Sequence, residues 1–293
     1  MIPDQTLERI HRRLARVLAP PAELLTPFEM DGAAIGWITR DRAQRLAEFA
    51  DVFDAKAGAL RFVPALRTIV ERTSALDRVA AHLASEGALT AWRDERYAVA
   101  PSFGDPALFF LERAAARYFG VHTYAVHLNG LVRERDDVTM WLARRSDTKA
   151  IDPGMLDNLV GGGIAAGATI ADTVVKESWE EAGIAGDLAR TARAAGLLSI
   201  FRVQRDGVQH ETIFVHDLWL PHDFVPQNQD GEAVEHRQVA LAEAARLIAI
   251  EDGPEAVTSD ASLVALDCLL RLGQVSLGSS WRSALGGLRI SEP

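Results

Sequence analysis

Three glutamates, Glu177, Glu180 and Glu181 in the run KESWEEAGI, are the residues whose type and spacing point most directly to chemistry. Thr169 with Asp172 three residues on is a capping-box variant that starts a helix, and Gly183 followed by Ile184 is a helix stop with its apolar contact. At about 100° per residue the three carboxylates fall within one arc of roughly 100°. Ala171, Val174, Val175, Ser178 and Ala182 form a separate arc that should pack. Like charges at i, i+3 and i, i+4 each cost a helix about 0.2–0.5 kcal/mol, and in its last turn the helix dipole also disfavours anions. A hard divalent cation offsets both effects, because Mg2+ or Mn2+ takes oxygen ligands and bridges carboxylates to phosphates. The alternative for a bare ExxEE is a solvated acidic face.

The flanking residues weigh against that alternative. Glycines 161, 162, 163 and 167 permit close backbone approach and unusual conformations, as a loop gripping the helix or offering a carbonyl to metal would need. Together, GGGIAAGATIADTVVKESWEEAGI resembles the Nudix box: Gly, five residues, Glu, seven residues, Arg-Glu, an apolar residue, any residue, Glu-Glu, any residue, Gly and an apolar residue. Gly162 takes the first glycine, Glu177 the Glu of Arg-Glu, Glu180 and Glu181 the pair, and Gly183 and Ile184 the end. Three positions depart: Ala168 stands where the first Glu is expected, Lys176 replaces Arg, and Ser178 replaces the apolar residue. Lys176 keeps the charge without the bidentate geometry, and Ala168 removes a carboxylate near the metal.

The resemblance implies an α+β fold: a Nudix α/β/α sandwich with a mixed sheet, preceded by a small α+β N-terminal domain. It implies a metal-assisted pyrophosphohydrolase in which Glu177, Glu180 and Glu181, with a carbonyl near Gly161, hold Mg2+ or Mn2+. Water activated by the metal attacks phosphorus, and a glutamate accepts the proton. Glu235, near Glu232 after Asp230-Gly231, stands with those three as a further ligand or base. A longer likeness, carried by YAVHLNG, WLARRSDTKAIDPGMLDNLVGGG and NQDGEAVEHRQV, is to a subfamily related to thiamine pyrophosphokinase that carries an extra N-terminal domain. It covers residues 30–275, with FLERAAARYFGVHTYAVHLNG marking the junction, and implies cleavage of thiamine pyrophosphate or its oxidised derivatives to the monophosphate. Nucleoside-diphosphate-linked compounds are the alternative substrates, and a non-catalytic diphosphate sensor, motivated by Ala168, is the alternative role.

Other side chains near this segment can meet a diphosphate. Arg144, Arg145 and Lys149 follow a β-rich run and can neutralise phosphate, or be ordinary surface charges. His127 and Asn129 in YAVHLNG can hydrogen-bond a ligand, or simply alternate on a half-exposed strand. We assign substrate contacts to Arg144, Arg145, Lys149 and Asn129. Asp157-Asn158 reads as a turn ordering the glycine segment. Trp37, Trp141 and Phe201 are core aromatics first and ring-stacking partners second.

These residues must be positioned by the elements around them. Leu7, Ile10, Leu14 and Val17 recur at helical spacing after Asp4, and Pro20-Pro21 should stop that helix. Residues 33–38 and 96–100 read as strands, and residues 41–49, 64–83 and 107–118 as helices. Residues 123–132 and 138–144 form a β hairpin pattern around RERDD, and residues 197–203 and 212–220 another around Asp206-Gly207. Residues 240–250 and 259–272 close the chain as helices. This order predicts an N-terminal accessory domain over 1–118, a catalytic domain over 119–275 and a tail over 276–293. The first unit would cap the site or mediate a homodimer.

Composition bounds the rest. With 41 acidic and 31 basic residues the net charge is -10, which argues against non-specific binding to nucleic acid or anionic membrane. Cys268 is the one cysteine, which excludes an intrachain disulfide and suits a reducing compartment. The first residues are too charged for a secretory signal, and Asp4 and Glu8 count against a transit peptide, so a cytoplasmic protein is expected.

Overall fold

The computed structural model describes residues 2–18, 25–135 and 137–274. The amphipathic N-terminal segment forms α1 (Asp4–Leu18), with Ile10 and Leu14 fully buried. Pro20-Pro21 and the tail over 276–293 lie outside the described residues. A first unit follows: β1 (Thr26–Met30), β2 (Ala33–Ile38), α2 (Arg40–Ala47), β3 (Phe53–Lys56), β4 (Ala59–Phe62), α3 (Ile69–Ser85), β5 (Arg96–Val99), β6 (Phe109–Glu112) and α4 (Ala116–Phe119). Four strands make one sheet in the order β2-β1-β4-β3, and β5 pairs β6. Phe28 centres its core, with Phe53, Phe62, Phe109 and Phe119 rings 5.2–6.0 Å away. Residues 107–118 are not one helix. Phe109 and Leu111 alternate into this core at 0% and 1% exposure, so the segment is a strand before a short helix.

The second unit comprises β7 (His122–Glu134), β8 (Asp137–Arg145), β9 (Leu156–Asn158), β10 (Val160–Gly163), α5 (Ile170–Ala182), α6 (Gly186–Ala189), β11 (Arg193–Gln204), β12 (Gly207–Leu220), β13 (Ala233–Ala240), α7 (Leu241–Ile248) and α8 (Ser259–Arg271). The strands lie in the order β11-β12-β7-β8-β13, with β10 added to β7 and β9 to β8. Only the β12–β7 pair is parallel, so the sheet is mixed. One face carries Val126, Leu128 and Val160 against α5 and α6. The other carries Ala125, Leu131 and Met140 against α7, α8 and also α1. The result is an α/β/α sandwich. The buried Arg13 of α1 donates to the Ile248 carbonyl at 2.5 Å and to the Val257 carbonyl, so a cut after residue 118 does not separate the two cores.

The units meet along an aromatic seam. Trp37 contacts Phe201 edge-on at 6.5 Å, Phe201 contacts His210, and His210 stacks on His122 with centroids 4.1 Å apart. Burial, helped by the neighbouring His210, lowers the His122 pKa to about 4 from 6.5. Because the folded-state value is depressed, full stability is present above pH 6.5 and is lost as pH falls toward 4, where the unfolded chain binds a proton that the native imidazole refuses. Urea titrations from neutral pH to about pH 4 should show His122→Gln losing about 2 kcal/mol less than the parent across that window. Equal losses would remove His122 as a source of acid sensitivity.

Candidate active site

Helix α5 is bounded as its sequence dictates. Thr169 Oγ1 accepts the Asp172 amide at 3.1 Å, and the Asp172 carboxylate accepts the Thr169 amide in return. Gly183 closes the helix at φ 65°, where Ile184 N–H donates to the Ser178 carbonyl at 3.0 Å. The carbonyls that such an end leaves open are taken by a following loop and strand. Gln229 N–H donates to Glu180 O at 2.7 Å, Gln227 N–H to Ala182 O, and His236 Nε2 to Glu181 O at 3.0 Å.

The three carboxylates share an arc but not an environment. Glu177 and Glu181 are buried, while Glu180 is half-exposed and Ala171, expected to pack, is exposed. Lys176 Nζ bridges Glu177 at 2.9 Å and Glu180 at 2.8 Å. Burial opposes the Lys176 charge, yet these two carboxylates outweigh it and raise its pKa. Burial also raises the Glu177 pKa, against the pull of Lys176. Glu181 accepts the Gly161 amide at 2.8 Å, and its burial lifts it further still.

The glycine triplet is a strand rather than a loop. Gly161, Gly162 and Gly163 pair with His127, Val126 and Ala125 of β7. None has a positive φ, so what glycine supplies is close approach. A Cβ at Gly162 would sit 2.3 Å from Glu177 Cδ, and one at Gly163 would sit 2.0 Å from Tyr97 Oη. Gly162→Ala must therefore push Glu177 off its seat. We expect a loss of about 1–3 kcal/mol from overpacking and at least tenfold in turnover, read by urea unfolding and initial rates. Unchanged turnover would mean that the Glu177 seat does not matter for catalysis.

Glu177 and Glu180 open onto a cleft of about 990 Å3 between the two units, which Gly161, Arg145 and Lys149 also line. The first unit contributes Arg93, Arg113, Arg117 and Tyr97, residues for which the sequence carried no motif. Arg113 pairs with Glu95 at 2.5 Å and lies beside the Tyr97 ring; Arg117 pairs with Asp206 at 3.1 Å. Glu232 bridges the units, pairing with Arg93 at 2.5 Å and with Lys149. Arg145 holds Asp157 at 2.7 Å.

Three expected site residues lie elsewhere. Arg144 pairs with Glu235 at 2.6 Å and Glu255 at 2.7 Å, outside the cleft lining. Adjacent strand residues face opposite sides, so Arg144 and Arg145 cannot share one site. Glu235 is thereby committed, and its hydrogen bond from Arg144 holds its carboxyl below the usual range, which unsuits it as a base. Asn129 is fully buried between Asp217 and Asn158. Trp141 is a core residue, and Trp37 and Phe201 belong to the seam.

The NUDIX domain family matches residues 122–259, and a domain of unknown function, DUF4743, matches residues 9–123. Nudix hydrolase 24, chloroplastic, of Arabidopsis thaliana is 37% identical over 85% of this chain and 68% of its own length. The chain belongs to the Nudix hydrolase family. Arabidopsis Nudix hydrolase 20, chloroplastic, is 36% identical over 87% of this Nudix chain and 70% of its own. An uncharacterized Saccharomyces cerevisiae protein is 29% identical over 84% of this chain and 77% of its own.

A Nudix site calls for a divalent ion, and the donor chemistry here suits one. Glu177 and Glu180 already share a single cation, and the Gly162 cradle seats Glu177 where a Cβ would exclude it. Among the described residues no three His, Cys, Asp or Glu groups converge as they stand; Lys176 bridges Glu177 and Glu180, and Glu181 accepts the Gly161 amide. Of the box departures, Lys176 provides that cation, Ser178 is buried with an unpartnered Oγ, and Ala168 packs at the edge of the α5 core.

Proposed function

We propose that this Nudix hydrolase is a Mg2+- or Mn2+-dependent pyrophosphohydrolase that cleaves thiamine pyrophosphate or its oxidised derivatives to the monophosphate. The observation that carries the reading is the Glu177–Glu180 pair sharing one ammonium beside a charged interdomain cleft. In this reading Glu177, Glu180 and Glu181, with the Gly161 carbonyl, hold the metal. When bound, the ion neutralises phosphate charge and lowers the pKa of its water. Arg145, Lys149, Arg93, Arg113 and Arg117 take the phosphate oxygens, and one of the helix glutamates takes the proton. Asp157, Glu211 and Asp260 line the same cleft and complement a cationic ring such as thiazolium.

Ala168 supports a second reading, a diphosphate sensor without turnover. Phosphate release with Mg2+ should be measured on thiamine pyrophosphate, its oxidised forms and ADP-ribose, beside Glu180→Gln/Glu181→Gln. We expect turnover of the thiamine compounds and its loss in the double variant. No metal-dependent turnover on any compound would leave the sensor, and turnover indifferent to the double change would overturn the site. ADP-ribose as the better substrate would move the substrate class to nucleoside-diphosphate-linked compounds. A reducing compartment such as the cytoplasm suits the free, buried Cys268, although both plant relatives are named chloroplastic.

A further inference from the structure

Tyr97 carries a hydroxyl from the first unit to the glycine strand of the second. It stands on β5, where pairing with Leu111 of β6 fixes its backbone and Arg113 lies over its ring at 5.8 Å. Tyr97 is only 7% exposed and lines the cleft, yet its Oη makes no hydrogen bond among the described residues. Phenylalanine would fill the same space without burying an unsatisfied oxygen, so packing gives no reason for the hydroxyl. Burial pushes the phenol pKa up to about 12 from 10, and Oη therefore keeps its proton at neutral pH.

The position of that oxygen is set by the strand beneath it. A Cβ at Gly163 would lie 2.0 Å from Oη and 2.9 Å from Cζ, so only glycine admits the hydroxyl to this point of β10. Gly162, one step along, admits Glu177 in the same way. Successive strand positions face opposite sides, so Tyr97 and Glu177 reach β10 from its two sides, and the cleft includes both. Arg113 ties the two together electrostatically. Burial opposes its charge, while Tyr97, Glu95 and Glu177 are among the groups that raise its pKa. The acceptor that Oη needs is not Glu95, which Arg113 already holds at 2.5 Å. An anionic oxygen entering the cleft beside Arg113 would meet both donors.

We propose that Tyr97 is a substrate-binding residue supplied by the first unit, its Oη donating to a non-bridging phosphate oxygen of the diphosphate beside Arg113. The acceptor then arrives with the substrate, which accounts for a hydroxyl that has none in the protein. Two glycines of the triplet thereby serve two different side chains, Gly162 for Glu177 and Gly163 for Tyr97. The proposal rests on the diphosphate reading above for its ligand.

Tyr97→Phe removes the oxygen and keeps the ring. Calorimetry with Mg2+ is run on the methylene-bridged analogue of thiamine pyrophosphate, which resists hydrolysis, and on methylenediphosphonate, which lacks the organic part; each protein is also melted. We expect both compounds to bind the variant about tenfold more weakly, with a melting temperature equal to the parent's or higher. Unchanged binding of both overturns the contact. Weakening of the thiamine analogue alone places the hydroxyl on the organic part and overturns the phosphate role. A melting temperature several degrees lower would show that Oη is partnered within the protein, and also overturns it. The diphosphate reading fails separately: if the parent binds neither compound, that reading and the Tyr97 contact fall together. If the parent binds both yet hydrolyses no diphosphate, the sensor reading stands and weaker binding by Tyr97→Phe still supports the contact.

Discussion

Replacing Glu177 by Gln is expected to cut metal-dependent diphosphate hydrolysis on the order of 10²–10³-fold while leaving the melting temperature equal or higher. The two halves of this expectation have one cause. Glu177 is 8% exposed, and burial raises its pKa, so the fold bears a desolvation cost for keeping an anion there. Glutamine has the same shape, fits the Gly162 cradle and removes that cost. What it cannot do is balance a divalent cation or the Lys176 ammonium 2.9 Å away. Initial rates over a Mg2+ titration, with a thermal melt on the same sample, check both halves. A variant turning over within a few-fold of the parent would remove Glu177 from the metal site, and one that simply unfolds would show the carboxylate to be structural.

Gly120→Ala should be among the most damaging single-methyl changes in the molecule, costing about 3 kcal/mol or more. Gly120 ends α4 at φ 56°, a conformation in which alanine costs about 1 kcal/mol. Its added Cβ would also lie 1.7 Å from the Trp37 carbonyl oxygen. That oxygen belongs to backbone held on both sides, because Trp37 pairs with Pro27 in β1 and donates its own N–H to Gly120 O at 3.0 Å. Neither segment can move without opening the seam between the units. Gly167→Ala separates the two terms, since Gly167 has φ 85° but no atom within 4 Å of its Cβ position. Urea unfolding should place Gly120→Ala well below Gly167→Ala. Equal losses would mean that conformation alone, and not the Trp37 contact, sets the cost.

How much of this was legible beforehand depended on range. Helix α5 was readable to its ends because Thr169, Asp172, Gly183 and Ile184 act within a turn of where they stand. The hairpins and α1 were readable from periodicity, and the box resemblance led to the sandwich. Residues 107–118 misled because Ala114, Ala115 and Ala116 favour helix locally, while the pairing of β6 with β5, a tertiary event, took Phe109 and Leu111 into a strand.

The candidate site was legible as a set of carboxylates and no further. Sequence alone determined that Glu177, Glu180 and Glu181 share one arc of a short, capped helix, because spacing and capping are local, and it raised the expectation of a cation beside them. Tertiary structure decided which of their neighbours count. Arg144 and Arg145 are adjacent and alike, but strand parity sends one to Glu235 and Glu255 and the other to the cleft. Asn129 was drawn into the core by Asp217, and Arg93, Arg113 and Arg117 were brought to the cleft from another unit. None of these placements is encoded at short range, because each depends on which face of a strand meets which partner once both cores have closed.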